Sequence, residues 1–273
     1  MTRKQLEAEI RAKKSLLCVG LDPVRERMPE HLLKEERPLF SFCRQIVDAT
    51  APFAVAFKPN LAFFEAEGAE GYQSWLALAR YIKEHYPQHF LIADAKRGDI
   101  GNTARAYARA FFEQAGSDAV TVAPYMGEDS VKPFLEYPGK WAVVLALTSN
   151  PGSTDFQKEK LSSHKQLYQQ VLERTAAWGK PDNTMFVIGA TQTSEMIGIR
   201  ATFPEHFFLV PGVGAQGGEL SAVIEAGGAG EFPYLLINAS RSIIYAGADE
   251  NFAQAAAEES ERLQKEIARL AFD

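Results

Sequence analysis

Residues 90–115, FLIADAKRGDIGNTARAYARAFFEQA, pass from a short apolar run into a charged cluster and then into a segment of helical period. A continuous apolar run without alternation suits a strand buried on both faces, as in a parallel sheet. The polar cluster is then the turn, and the amphipathic stretch is the helix that crosses back over the sheet. Together they form one βα unit.

The same rhythm fills the chain. Apolar runs occur at 16–20, 54–57, 90–93, 119–123, 141–147, 185–189, 207–210 and 234–237. Segments of helical period lie at 38–50, 71–85, 103–115, 165–178, 193–203 and 219–226, and 251–270 reads as a closing helix. Successive runs begin 22 to 44 residues apart, room for one crossover each. Eight such units in 273 residues predict an α/β fold, a (β/α)8 TIM barrel. No Pro/Gly/Ser linker or shift of composition divides the chain, so 1–273 is read as one catalytic domain. The longest gap, 150–165, is expected to carry a loop over the barrel mouth.

Composition narrows the function. Lys and Arg number 29 against 35 Asp and Glu, a net charge of −6, and 46% of residues are hydrophobic. That suits a globular core and argues against a general nucleic-acid binder, which needs a basic surface. No apolar run approaches a membrane span, and the charged start MTRKQLEAEIRAKKS lacks the apolar stretch of a signal peptide. Cys18 and Cys43 lie in apolar segments and read as small buried hydrophobes. A cytoplasmic protein is expected.

In a barrel the active site lies at the C-terminal strand ends. Here those ends carry Asp22, Lys58, the cluster Asp94 to Asp99, Thr148 and Ser149, the stretch PGVGAQGG at 211–218, and Arg241. Asp94 and Lys96 are two residues apart, so simple alternation puts both on one face of the strand. Lys58, from the neighbouring strand end, adds a second ammonium. Gly212-x-Gly214-x-x-Gly217 spells a dinucleotide fingerprint, but it falls in the seventh unit rather than the first. The loops after strands seven and eight of a barrel commonly hold phosphate, and the glycine-rich turn with Arg241 suits a phosphate monoester better. The sequence holds no metal-ligand or nucleophile pattern. Pro87 breaks the helix that would align His85 with His89, His31, His164 and His206 stand alone, and no Cys–His or Gly-x-Ser-x-Gly pattern occurs. No cofactor is demanded.

These residues resemble a family. Asp94-x-Lys96-x-x-Asp99-Ile100-x-x-Thr103, with Asp22 upstream and Lys58 between, resembles orotidine 5′-phosphate decarboxylase, and DAKRGDIGNTA at 94–104 resembles its bacterial branch of longer chains. The Asp-x-Lys-x-x-Asp spacing is shared with related phosphosugar enzymes; Lys58, Ile100, Thr103 and Arg241 favour the decarboxylase. The turn after the seventh run is more compact here than in the best-known branch. The resemblance implies cofactor-free decarboxylation of orotidine 5′-phosphate to UMP, the last step of de novo pyrimidine synthesis. It implies that Lys96 stabilises the C6 carbanion and then protonates it, that Asp94 faces the departing carboxylate, and that Lys58 and Asp99 hold these two in place. Asp22 and Thr103 would hold ribose hydroxyls, and Thr148 or Ser149 would face the pyrimidine. Gly212, Gly214, Gln216 and Arg241 would grip the phosphate. It further implies a homodimer in which Asp99, Ile100 and Thr103 enter the neighbouring subunit's site. A metal-dependent sugar-phosphate enzyme of the same superfamily is the enzymatic alternative, and a barrel that only binds a phosphorylated ligand is the non-enzymatic one.

Overall fold

A computed structural model of the chain describes residues 1–213, 219–228 and 230–273. The elements follow in the order α1 (Arg3–Lys13), β1 (Leu17–Leu21), α2 (Pro38–Thr50), β2 (Ala56–Pro59), α3 (Leu61–Glu65), α4 (Gly68–His85) and β3 (Phe90–Arg97). Next come α5 (Gly101–Arg109), β4 (Ala119–Val122), α6 (Glu128–Leu135), β5 (Trp141–Leu147), α7 (Leu167–Trp178) and β6 (Thr184–Ile188). The chain ends with α8 (Thr193–Thr202), β7 (Phe207–Pro211), α9 (Leu220–Gly227), β8 (Leu235–Ala239), α10 (Arg241–Ile244) and α11 (Phe252–Ala271). The eight strands follow one another in chain order around a closed barrel, the (β/α)8 architecture expected from the repeat. Among the described residues, no helix is long and apolar enough to cross a membrane.

By internal contacts the chain forms two compact units: Met1–Ala95, Arg109–Ala119 and Ala239–Asp273 make the first, and Lys96–Ala108 with Val120–Asn238 makes the second. In the first unit β1 pairs in parallel with β2, Gly20 opposite Lys58, and β2 with β3, Phe57 opposite Leu91. Helices α2 and α11 pack together, with Phe42 stacked on both Tyr245 and Phe252. Helix α1 was not legible as an element. It buries only Leu6 and Ile10, a two-residue stripe at i,i+4 among charged neighbours. Its start is a capping box between Thr2 and Gln5, the one local signal that marks it. Cys18 and Cys43 are buried free thiols in this unit, as the sequence suggests.

In the second unit β5, β6, β7 and β8 run parallel in register, Val143 opposite Met185 and Phe186 opposite Phe208. Arg200 of α8 is 4% exposed and donates to the carbonyls of Gly227, Phe203, Pro204, His206 and Tyr234, its guanidinium 3.7 Å above the Phe208 ring. Burial draws that guanidinium down to about 9, so backbone carbonyls and a ring face, rather than a carboxylate, carry its charge.

Three local features depart from the sequence reading. Strand β3 continues past its apolar run through Asp94 to Arg97, because the strand hydrogen bonding outlasts the apolar side chains. The helix expected over 103–115 begins at Gly101 and widens into a π-helical turn over Ala110–Gln114. Helix α6 carries Pro133 in its interior, a residue that reads in the sequence as a helix breaker. Helix α4 stops at His85, two residues before Pro87, so His85 and His89 share no helix.

Candidate active site

Strand β2 extends past its apolar run to place Lys58 beside the polar end of β3. There Lys58 Nζ donates to Asp94 Oδ2 at 2.6 Å, with side-chain exposures of 6% and 8%. Burial alone would lower the Lys58 ammonium; the carboxylates of Asp94 and then Asp22 outweigh it and hold the group above its ordinary value. Cys18, on β1 near these charges, is pushed up to about 12 by burial and stays a neutral thiol. A buried ammonium facing two carboxylates is therefore a fixed charge.

Asp22 follows β1. Its Oδ2 accepts a 2.6 Å hydrogen bond from Ser240 Oγ, and its buried Oδ1 has no hydrogen-bond partner among the described residues. Tyr245 joins the same loop, donating to the Asp22 carbonyl at 2.9 Å and accepting from Val24 N–H at 2.5 Å. Arg241 is the first residue of α10 and is exposed. The sequence places Ser240 in the polar stretch 238–241 that ends the eighth run but gives it no role, and Tyr245 carries no signal there.

In the second unit, Lys96 is exposed and adopts φ +47°. A left-handed backbone at a residue with a Cβ costs about 1–2 kcal/mol. It also corrects the expected alternation: the pleat is broken at Lys96 itself, so period two does not dictate its face. The surrounding backbone is anchored: Lys96 N–H donates to Thr121 Oγ1 at 2.9 Å and Ala123 N–H to the Arg97 carbonyl at 2.8 Å. Gly98 is required there, because a Cβ would sit 2.9 Å from the Ala123 carbonyl oxygen. Asp99 accepts from Ile100 N–H at 2.7 Å; Ile100 (46% exposed) and Thr103 lie open at the start of α5.

Thr148 is saturated by two glutamines that sequence reading missed. Gln157 accepts from Thr148 N–H at 2.8 Å and donates to its hydroxyl at 2.9 Å, while Gln192 donates to its carbonyl at 3.1 Å. The hydroxyl itself donates to Asn150 Oδ1 at 2.6 Å. Next to it, Ser149 runs against Gly189, where a Cβ would lie 2.6 Å from the Ser149 nitrogen. Gly212 follows β7 with φ +98°, a conformation that favours glycine. Gly214 and Gln216 lie outside the described residues. The structure thus brings Lys58 against Asp94 and into the field of Asp22, and adds Ser240 as a hydrogen-bond donor to Asp22. Among the described residues, no group of three or more His, Cys, Asp or Glu could hold a metal ion.

Residues 15–256 match the model of the orotidine 5′-phosphate decarboxylase / HUMPS family. The chain is 52% identical over 270 residues to an orotidine 5′-phosphate decarboxylase of Phocaeicola vulgatus, covering 99% of each chain. It is 50% identical to one of Parabacteroides distasonis, covering 100% of this chain and 97% of that one. It is also similar to the solved OMP decarboxylase of Leishmania donovani, with a TM-score of 0.80 and 37% identity, covering 97% of this chain and 99% of that one.

Proposed function

The chain belongs to the orotidine 5′-phosphate decarboxylase / HUMPS family, and from that premise we propose how its residues divide the work. The reaction is the decarboxylation of orotidine 5′-phosphate to UMP and carbon dioxide in pyrimidine biosynthesis. Our reading treats 1–273 as one catalytic domain working in the cytoplasm, where the free thiols of Cys18 and Cys43 stay reduced.

The observation that carries the assignment of roles is the buried Lys58–Asp94 pair at the ends of adjacent strands. Cleavage of the C6–carboxylate bond leaves its electron pair in the ring plane, where π delocalisation helps little. A fixed cation must therefore meet the developing charge. Lys58 is paired with Asp94, and the family resemblance assigns Lys96, two residues beyond Asp94, to stabilise the carbanion and pass its proton to C6. Solvent then reprotonates the amine.

Asp94 faces the departing carboxylate. Two like charges ~4 Å apart repel by ~4 kcal/mol at an effective dielectric of ~20, about a thousandfold in rate. Enzymes on difficult reactions reach on the order of 10^17, so repulsion is the smaller part. Stabilisation at Lys96, with phosphate binding used to desolvate the site, supplies the larger.

Asp22 and Thr103 hold ribose hydroxyls, and Arg241 with Gly212, Gly214 and Gln216 holds the phosphate. Thr148 or Ser149, adjacent at the end of β5, faces the pyrimidine, and Gln157 and Asn150 fix the Thr148 hydroxyl. Asp99, Ile100 and Thr103 serve the neighbouring subunit of a homodimer, a role supported by the exposure of Ile100 and Thr103. No cofactor takes part. A spectrophotometric assay with orotidine 5′-phosphate, with and without EDTA, tests the whole: full turnover in EDTA is expected. Chelator-sensitive turnover of a sugar phosphate instead would overturn it.

A further inference from the structure

We propose that Ser240 is a positioning residue, holding the Asp22 carboxylate in the one orientation that presents its free oxygen to a ribose hydroxyl. The inference rests on reading Asp22 as the ribose ligand and Arg241 as the phosphate ligand.

Ser240 occupies the N-cap position of α10, where a serine normally turns its oxygen onto the N–H groups of the first turn. It makes no such cap. Its carbonyl accepts from Ile243 and Ile244 at 2.9 and 3.0 Å, as a cap residue's should, but its hydroxyl is directed to Asp22 Oδ2 at 2.6 Å. The short distance is that of a hydroxyl donating to a charged oxygen. A cap given up by serine for a carboxylate in the loop after β1 is a placement that local helix stability does not explain.

The two carboxylate oxygens of Asp22 are thereby made different. Oδ2 is held by the protein, whereas Oδ1 is buried with no hydrogen-bond partner among the described residues. A buried charged oxygen without a donor is costly, and a ligand hydroxyl arriving there removes that cost. Ser240 is also the chain neighbour of Arg241, so its hydrogen bond links the Asp22 carboxylate to the segment that carries Arg241. The ribose and phosphate grips are thus linked through Ser240, and Tyr245 ties the Arg241 segment to the backbone of Asp22 and Val24 independently of Ser240. Stacking of Tyr245 on Phe42 and the Arg27 guanidinium 3.9 Å above its ring reinforce that clamp. Removal of the serine hydroxyl should therefore leave the segment folded and Asp22 loose.

The test is a double-mutant cycle in the full-length protein, read as kcat/KM on orotidine 5′-phosphate with thermal melting alongside. Ser240→Ala is expected to lower kcat/KM about tenfold with little change of Tm, and Ser240→Thr, which keeps the hydroxyl, to stay within about twofold. In an Asp22→Ala background Ser240→Ala should add no further loss. With analogues lacking one ribose hydroxyl, the Ser240→Ala loss should vanish for the analogue missing the group that Asp22 holds. Wild-type kcat/KM in Ser240→Ala, or the same loss whether or not Asp22 is present, would overturn the positioning role alone. A silent Asp22→Ala would overturn the reading of Asp22 and the inference with it.

Discussion

Lys58 Nζ and Asp94 Oδ2 meet at 2.6 Å with both side chains less than a tenth exposed. A pair this desolvated is held by mutual dependence more than by net gain: removing one partner strands the other charge, typically at about 3–5 kcal/mol. Lys58→Met should therefore lower stability by about that much in urea melts. Lys58→Met with Asp94→Leu should recover part of it while turnover stays lost. Wild-type stability in the single variant would mean that the charges are better hydrated than their burial implies.

Lys96 joins a strained backbone to a proposed chemical role. Lys96→Ala and Lys96→Gly should both nearly abolish turnover while still binding UMP. The φ of +47° separates them in stability. Glycine adopts a left-handed conformation without the Cβ penalty, so the glycine variant should be more stable than the alanine one by about 1 kcal/mol and melt later. Equal midpoints would contradict the backbone geometry, and substantial turnover in either would reject Lys96 as the proton donor.

Those two residues also show how far the sequence could be read. Lys58 and Asp94 were legible because each follows an apolar run at a strand end, and barrel architecture gathers such ends at one face. The left-handed Lys96 was not, because it depends on anchors that are distant in sequence, Thr121 and Ala123. Ser240 escaped for the same reason: its hydrogen bond spans 218 residues. Helix α1 hid behind a stripe of only Leu6 and Ile10, and α6 behind Pro133. Periodicity finds elements whose burial is broad, and it passes over those held by a few long-range contacts.

His89 gives the fold a pH dependence. It is 1% exposed, with Lys13 Nζ 2.8 Å and the Ala51 carbonyl 2.9 Å from its Nε2. Lys13 also donates to the Ala51 and Ala54 carbonyls and pairs with Glu9. Burial, and then the Lys13 ammonium, draw the imidazole down to about 4. An unfolded histidine protonates near 6.5, so between those values the unfolded chain binds the extra proton and stability falls as the pH is lowered. About 3 kcal/mol should be lost from pH 6.5 to 4 through this group. His89→Phe should remove that part of the slope. An unchanged difference in Tm between the two pH values would show that His89 is not the group responsible.

Arg241→Ala should raise KM strongly for orotidine 5′-phosphate. With orotidine, which lacks the phosphate, the same substitution should have little effect, because the charge that Arg241 meets is gone. An equal fold-loss on both substrates would remove Arg241 from the phosphate site.

The proposed shared site has a consequence that only mixed subunits reveal. Asp99, Ile100 and Thr103 lie beyond Gly98, where the chain has left β3 and turns into α5. If they complete the partner's site, two-fold symmetry makes the exchange reciprocal, and every site is built from both chains. Lys96→Ala and Asp99→Ala proteins, each nearly inactive alone, should then complement once their subunits exchange. In a mixed dimer one site carries both defects and the other neither. Random equal mixing makes roughly half the dimers mixed, so about a quarter of all sites should be intact. If Asp99 served Lys96 of its own chain, every site would keep one defect. Exchange demonstrated by mass spectrometry without any rise in activity would therefore assign Asp99 to its own subunit.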